Sequence, residues 1–174
     1  LEQLLGVDWA VRNYTPPQQT NTYQNVILAT LEVNPVLQGL TAEKKQAVAA
    51  ILGMQLESPE GTPDFAKTLA DEKARWAKVA EVLSIEQLEA AKLHFSSHAD
   101  DLRGEFDSLP GFDTQPEEFR KIFRATEAID EQLYALGERN DTEAQQRREK
   151  LLAERDAAIR ATLSPARFEQ YARL

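Results

Sequence analysis

From residue 41 onward, apolar positions recur at steps of three and four, the spacing of helices that bury one face. Thr41 stands before Ala42-Glu43-Lys44, and Val48, Ile51, Leu52 and Leu56 follow at helical intervals until Ser58-Pro59-Glu60-Gly61 ends the run. Thr62-Pro63 supplies an N-cap hydroxyl and then a proline whose fixed φ suits a first helical position. Beyond it, Phe65, Leu69, Trp76, Val79 and Leu83 form a heptad-like seam, with Glu72 or Lys73 in its one polar gap. Ser84-Ile85-Glu86-Gln87 is a capping box, in which serine and glutamine each satisfy an unpaired backbone N–H. The helix it opens carries Leu88, Ala91 and Phe95. Ser96-Ser97, with Asp100 three residues after the second serine, predicts a kink or a brief break before Ala99, Leu102, Phe106 and Leu109 resume the stripe.

Pro110-Gly111 marks a turn, and Thr114-Gln115-Pro116-Glu117 predicts the cap of a helix whose buried face is Phe119, Ile122, Phe123, Ile129, Leu133 and Leu136. Gly137 is placed to end that helix in the left-handed conformation. Thr142-Glu143-Ala144-Gln145 caps a charged helix with Leu151, Leu152, Ile159 and Leu163, and Ser164-Pro165 opens a last segment with Phe168, Tyr171 and Leu174. Nothing in this half alternates with a period of two, so the fold class is all-α. The expected architecture is an elongated antiparallel bundle of four to six helices. Its hairpins would pair 65–83 with 85–109 and 116–136 with 143–163.

Residues 1–40 read as an irregular N-terminal arm and linker, set before a helical domain over 41–174. Leu1 to Tyr14 has apolar residues without a clean period, and Thr15-Pro16-Pro17 begins an extended polar stretch, because each proline lacks a donor and restricts the residue before it. Tyr23 to Val33 predicts a helix ending at Asn34-Pro35. Trp9, Tyr14 and Tyr23 flank the polar stretch and are expected to strap onto the helical body, or else to stay exposed toward a partner. The remaining aromatic residues, Trp76, Phe95, Phe106, Phe112, Phe119 and Phe123, fall mostly on apolar stripes and read as core.

Composition mainly excludes. With no cysteine, two histidines and seven glycines, the chain has no thiolate metal site or disulfide and little material for a glycine-rich phosphate loop. A net charge of −9 argues against nucleic acid as a partner, since phosphate contacts need clustered cations. No apolar run approaches the ~20 residues of a membrane-spanning helix. The charge is uneven: residues 57–118 hold 15 acidic and 6 basic side chains, whereas 138–174 hold 7 and 8, the mixture of a solvated helix face. An electrostatic partner of the acidic stretch would be basic or cationic.

One constellation carries possible metal chemistry. His94 and His98 lie four apart and Asp101 one turn further, so an unbroken helix would put two imidazoles and a carboxylate on one face, a set that suits zinc. The pair lacks the intervening glutamate of a metalloprotease helix, and a break at Ser96-Ser97 would part the rings. Glu117-Glu118, Asp100-Asp101 and Glu105-Phe106-Asp107 offer paired carboxylates. They lie in first turns or on polar faces, where acids complement the helix dipole rather than act as acid and base. Ser96-Ser97 beside the histidines is a chance neighbour rather than a triad. No nucleophile elbow, Walker loop or dinucleotide fingerprint is present, so neither an enzyme nor a cofactor is expected.

Leu83-Ser84-Ile85-Glu86-Gln87 resembles the L-[ST]-x-x-Q signature of the Spy/CpxP family of periplasmic helical stress proteins, and Leu40-Thr41 and Leu163-Ser164 look like degenerate copies lacking the glutamine. A longer stretch, about residues 75–174, resembles a group of uncharacterised bacterial envelope proteins. It includes Phe95-Ser96, Ala99-Asp100, Leu102-Arg103, Gly111-Phe112-Asp113, Glu117-Glu118-Phe119-Arg120, Ile122-Phe123, Ser164-Pro165, Arg167-Phe168 and Tyr171. These resemblances imply an exported helical protein of the periplasm or cell envelope, chaperone-like or stress-related, that binds other proteins. A start at Leu1 rather than methionine fits a mature fragment, or a trimmed chain, equally well. A structural homo-oligomer, in which long seams bury one another, and a divalent-metal-responsive protein are the alternatives.

Overall fold

The computed structural model of the protein describes residues 20–54 and 64–172, with backbone alone over 20–22. Among these residues there are eight helices and no strand. They are α1 (Thr20–Val33), α2 (Ala42–Leu52), α3 (Phe65–Val82), α4 (Ile85–Phe95), α5 (Ser97–Asp107), α6 (Pro116–Leu136), α7 (Thr142–Thr162) and α8 (Pro165–Ala172). The protein is therefore all-α. The helices outnumber the four to six expected because Ser96 divides α4 from α5, Ser164-Pro165 sets off a short α8, and the segment before residue 41 contributes α1.

Capping chemistry explains where the helices begin. Thr41 Oγ1 accepts from the Lys44 N–H at 3.3 Å. At the capping box, Ser84 Oγ accepts from the Gln87 N–H at 3.3 Å and Gln87 Oε1 accepts from the Ser84 N–H at 3.1 Å. The break between α4 and α5 is capped by Ser96 rather than Ser97. Its hydroxyl oxygen accepts from the Ala99 N–H at 3.2 Å and donates to the Lys92 carbonyl at 2.7 Å, closing one helix as it opens the next. Two further caps fall one residue from the expected threonine. Pro116 occupies the first helical position of α6, which makes Gln115, not Thr114, its N-cap, and Glu118 accepts from the Gln115 N–H at 3.2 Å. Asp141 displaces Thr142 at α7, accepting from the Ala144 N–H at 2.9 Å, a bond that holds its carboxyl below the usual range. Asp64 caps α3 through the Lys67 N–H at 2.9 Å; Thr62-Pro63 lies outside the described residues.

Two units form. One comprises residues 20–54 and 75–88, the other 64–74 and 89–172, with α3 and α4 lending residues to both. The boundary expected at residue 40 falls inside the first unit. There α1 packs on α2, and Ile27, Leu31, Leu37, Leu40, Val48, Leu52, Trp76, Val79 and Leu83 are buried. Residues 34–40 form the turn of that pair, since Asn34 Oδ1 accepts from the Val36 and Leu37 N–H groups at 2.9 and 3.2 Å. Trp9 and Tyr14 lie outside the described residues, and Tyr23 stays half exposed.

In the second unit α6 and α7 form the expected antiparallel hairpin, and Ala99, Leu102, Phe106, Phe112, Ile122, Phe123, Ile159 and Leu163 make its core, with Phe168 and Tyr171 of α8 packed against them. Gly137 ends α6 at φ +52° and ψ −135°, a positive φ as expected but outside the left-handed helical region. A Cβ there would run into the Phe65 ring. Leu152 is 46% exposed, because Leu151, Arg155 and Ile159 take the inward stripe at steps of four. The pairing expected between 65–83 and 85–109 is only partly present in this unit. Glu72 accepts from the Ser97 hydroxyl at 2.6 Å, whereas Lys73 pairs with Glu131 at 2.8 Å and Phe65 meets Tyr134 edge-on at 5.4 Å, both on α6.

Candidate functional site

The Ser96 break sends the two histidines to different surroundings. His98, 11% exposed, has Nδ1 at 3.4 Å from Asp130 Oδ2 and Nε2 at 3.3 Å from Thr126 Oγ1 and 3.4 Å from the Phe123 carbonyl, with its ring on Phe123 at 4.8 Å. His94 instead lines a cleft, where partial withdrawal from water, and then the charge of Arg103, hold its imidazole below the usual pKa. Asp101 is only partly withdrawn from water, which is enough to raise its carboxyl above the usual value, an effect that His98 opposes. Among the described residues no three histidine, aspartate or glutamate side chains converge as a metal site needs. The set His94, His98 and Asp101 is not brought together, because the helix that would have aligned it is broken between the rings.

The other candidate groups are also engaged. The Ser96 and Ser97 hydroxyls donate to Lys92 and Glu72, not to a histidine. Asp100 pairs with Arg103, Glu117 with Arg120 at 3.2 Å and Glu118 with Arg167 at 2.9 Å.

A cluster that sequence reasoning missed centres on Arg155, whose side chain is 13% exposed. Its Nε donates to Asp130 Oδ1 at 2.7 Å, and its Nη1 and Nη2 donate to Glu105 Oε1 and Oε2 at 3.1 and 2.5 Å. The Tyr171 hydroxyl donates to Glu105 Oε1 at 2.9 Å, and burial, reinforced by that carboxylate, pushes its pKa up to about 12. One guanidinium thus ties α5, α6, α7 and α8 together, with His98 joined through Asp130. Arg155 was hidden in the mixed-charge run, yet it stands four residues from both Leu151 and Ile159. A cation on an apolar stripe was the available signal.

The second unit also contains a cleft of about 640 Å³. Its apolar surface comes from Leu93, Phe106, Leu109, Phe112 and Phe119. Arg103 lies over the Phe119 ring, 5.6 Å from its centroid, and donates to Asp100 and to the Leu93 carbonyl; Arg120 also lines the cleft. Thr114, displaced from the cap, lines the cleft with a buried Oγ1 that has no hydrogen-bond partner. Gly111 turns the chain at the rim with φ +77°.

The first unit carries a different kind of surface. Of the seven large apolar side chains exposed among the described residues, Tyr23, Val26, Val33, Met54 and Ile85 belong to it. Tyr23, Val26 and Val33 are 50%, 55% and 78% exposed, and with Thr30 they follow a 3-4-3 spacing along α1. Glu32 is the sole charged residue of α1, and it pairs with Lys45 at 3.1 Å.

No known protein family, curated protein or solved structure matches the chain. Fold and surfaces together define an all-α protein with an apolar helix face in one unit and an amphipathic cleft in the other.

Proposed function

We propose that this is a non-enzymatic, exported protein of the bacterial envelope that binds other proteins, in a chaperone-like or stress-related role. The observation that carries the reading is the exposed face of α1: Tyr23, Val26 and Val33, at 3-4-3 spacing with Thr30 and without a charge among them, in a chain whose residues are 28% charged. Fully burying an apolar side chain is worth roughly 1.5–3 kcal/mol, so such a face is stabilised by a partner that covers it. The likeness of Leu83–Gln87 to the Spy/CpxP signature supports the envelope location and the client-binding role, and the acidic balance supports basic clients. The same 3-4-3 spacing favours a second reading, a homo-oligomer whose α1 helices pack on one another.

Two measurements test these readings. Suppression of aggregation of several clients at near-stoichiometric ratio is expected from the wild type and lost in Val26→Asp/Val33→Asp. If the wild type protects no client, the chaperone-like reading is wrong. Sedimentation equilibrium distinguishes the alternative, which requires concentration-dependent association that the same substitutions abolish; a strict monomer rules it out.

A further inference from the structure

We propose that the cleft of the second unit is a binding site for a small aromatic monocarboxylate. Its volume, about 640 Å³, lies within the range of roughly 300–1,000 Å³ typical of small-molecule sites. Its apolar surface is mainly aromatic: the Phe106 ring meets Phe112 at 5.6 Å with planes 49° apart and Phe119 edge-on at 6.2 Å, and because Phe106 and Phe112 are 3% and 4% exposed, half-buried Phe119, Leu93 and Leu109 supply the surface that a guest would touch.

The polar groups select the charge. Arg103 and Arg120 bring two guanidiniums to the cleft, and their own partners, Asp100 and Glu117, sit three residues away on the same helices with side chains 68% and 72% exposed. Exposed pairs of that kind contribute little, so a carboxylate resting on the apolar surface competes with them successfully. Thr114 Oγ1 adds a buried hydroxyl without a partner, which a ligand oxygen would satisfy. Asp107 and Asp113 also line the cleft and repel a second negative charge, while His94, held below its usual pKa, adds no positive one at neutral pH. Two arginines against two aspartates leave no net positive charge, so the cleft disfavours a dianion such as phosphate and takes a single carboxylate only at the arginines themselves.

The test is calorimetric titration of the full chain with 1-naphthoate, 1-naphthol and inorganic phosphate. Saturable binding of naphthoate is expected, with naphthol about tenfold weaker and phosphate undetected, since naphthol cannot form the charge-assisted hydrogen bond to an arginine. Arg120→Gln should weaken naphthoate about tenfold as well, while Arg147→Gln, on an exposed arginine of α7, leaves it unchanged. Thr114→Val supplies a readout that damage to the fold cannot imitate: it removes an unsatisfied buried hydroxyl, so it should raise thermal stability while lowering affinity. No saturable naphthoate binding at millimolar concentration, equal binding of naphthol, or affinity unaffected by Arg120→Gln each overturns the proposal. Binding of an uncharged, end-blocked phenylalanine-rich peptide in place of naphthoate would overturn it too, and would assign the cleft to protein segments.

Discussion

Replacing Arg155 with alanine removes the guanidinium that bonds both Glu105 and Asp130, whose side chains are 30% and 20% exposed. Two carboxylates are then left together on the inner side of three helices, and the Tyr171 hydroxyl keeps only the carboxylate to bond. Stranding buried charges by deleting their partner costs roughly 3–5 kcal/mol, and partial solvation of both carboxylates places this case near the lower end, about 3 kcal/mol. For a chain of this length that is a fall in Tm of roughly 6–12 °C. Thermal and urea unfolding followed by circular dichroism at 222 nm measures it. The cause is isolated by adding Glu105→Gln and Asp130→Asn to the Arg155→Ala background. If stranded charge is the source of the loss, the triple variant is more stable than the single one, although it has lost more hydrogen-bonding charge. A single-variant cost below about 1 kcal/mol, the range of exposed pairs, or a triple variant less stable than Arg155→Ala, refutes the reasoning.

Three further outcomes are expected. Gly137→Ala forces a Cβ into a positive φ and against the Phe65 ring, costing at least ~2 kcal/mol, whereas Gly104→Ala, in a helix with open space around it, gains about 0.5–1 kcal/mol; urea midpoints of the two variants should move in opposite directions. Hydrogen bonds from Arg167 hold the Glu118 carboxyl below its ordinary 4.5, so the stability it supplies is complete above that value and disappears as pH falls through the lower folded one. Arg167→Ala should therefore flatten the acid limb of Tm against pH, and parallel curves for variant and wild type would show the pair to be inert. Asp101 has the opposite sign: burial raises its carboxyl above 3.8, so its charge opposes folding once pH passes through the folded value. Asp101→Asn should raise Tm at pH 7 and make no difference below the ordinary value, read from the same pH series.

Local rules made much of this fold legible. Thr41, the Ser84–Gln87 box and the Ser96 break follow from which side chains can reach an unpaired N–H, and the α6–α7 hairpin follows from an amphipathic run and a charged helix with a sparse apolar stripe, joined at Gly137. Residues standing where two local rules conflict were harder to read. Arg155 and Asp130 occupy the inward stripes of their helices, Leu151–Arg155–Ile159 and Ile122–Thr126–Asp130, so charge argued for solvent while position argued for core. Each is held there by the other, a pairing across 25 residues that periodicity within one helix cannot express. The cleft was hidden for a related reason: Phe106, Phe112 and Phe119 look like core in any single helix, and a cavity among them exists only once α5, α6 and the turn between them are in place. The same long-range pairing changes what the acidic stretch means. Glu89, Glu105 and Glu118, all within residues 57–118, bond to Arg124, Arg155 and Arg167, all beyond it in the chain. Part of the acidity that suggested a basic partner is thus matched by arginines of the chain itself. A basic client of the second unit would have to compete with those arginines, whereas the nearly uncharged α1 face offers a partner no such competitor.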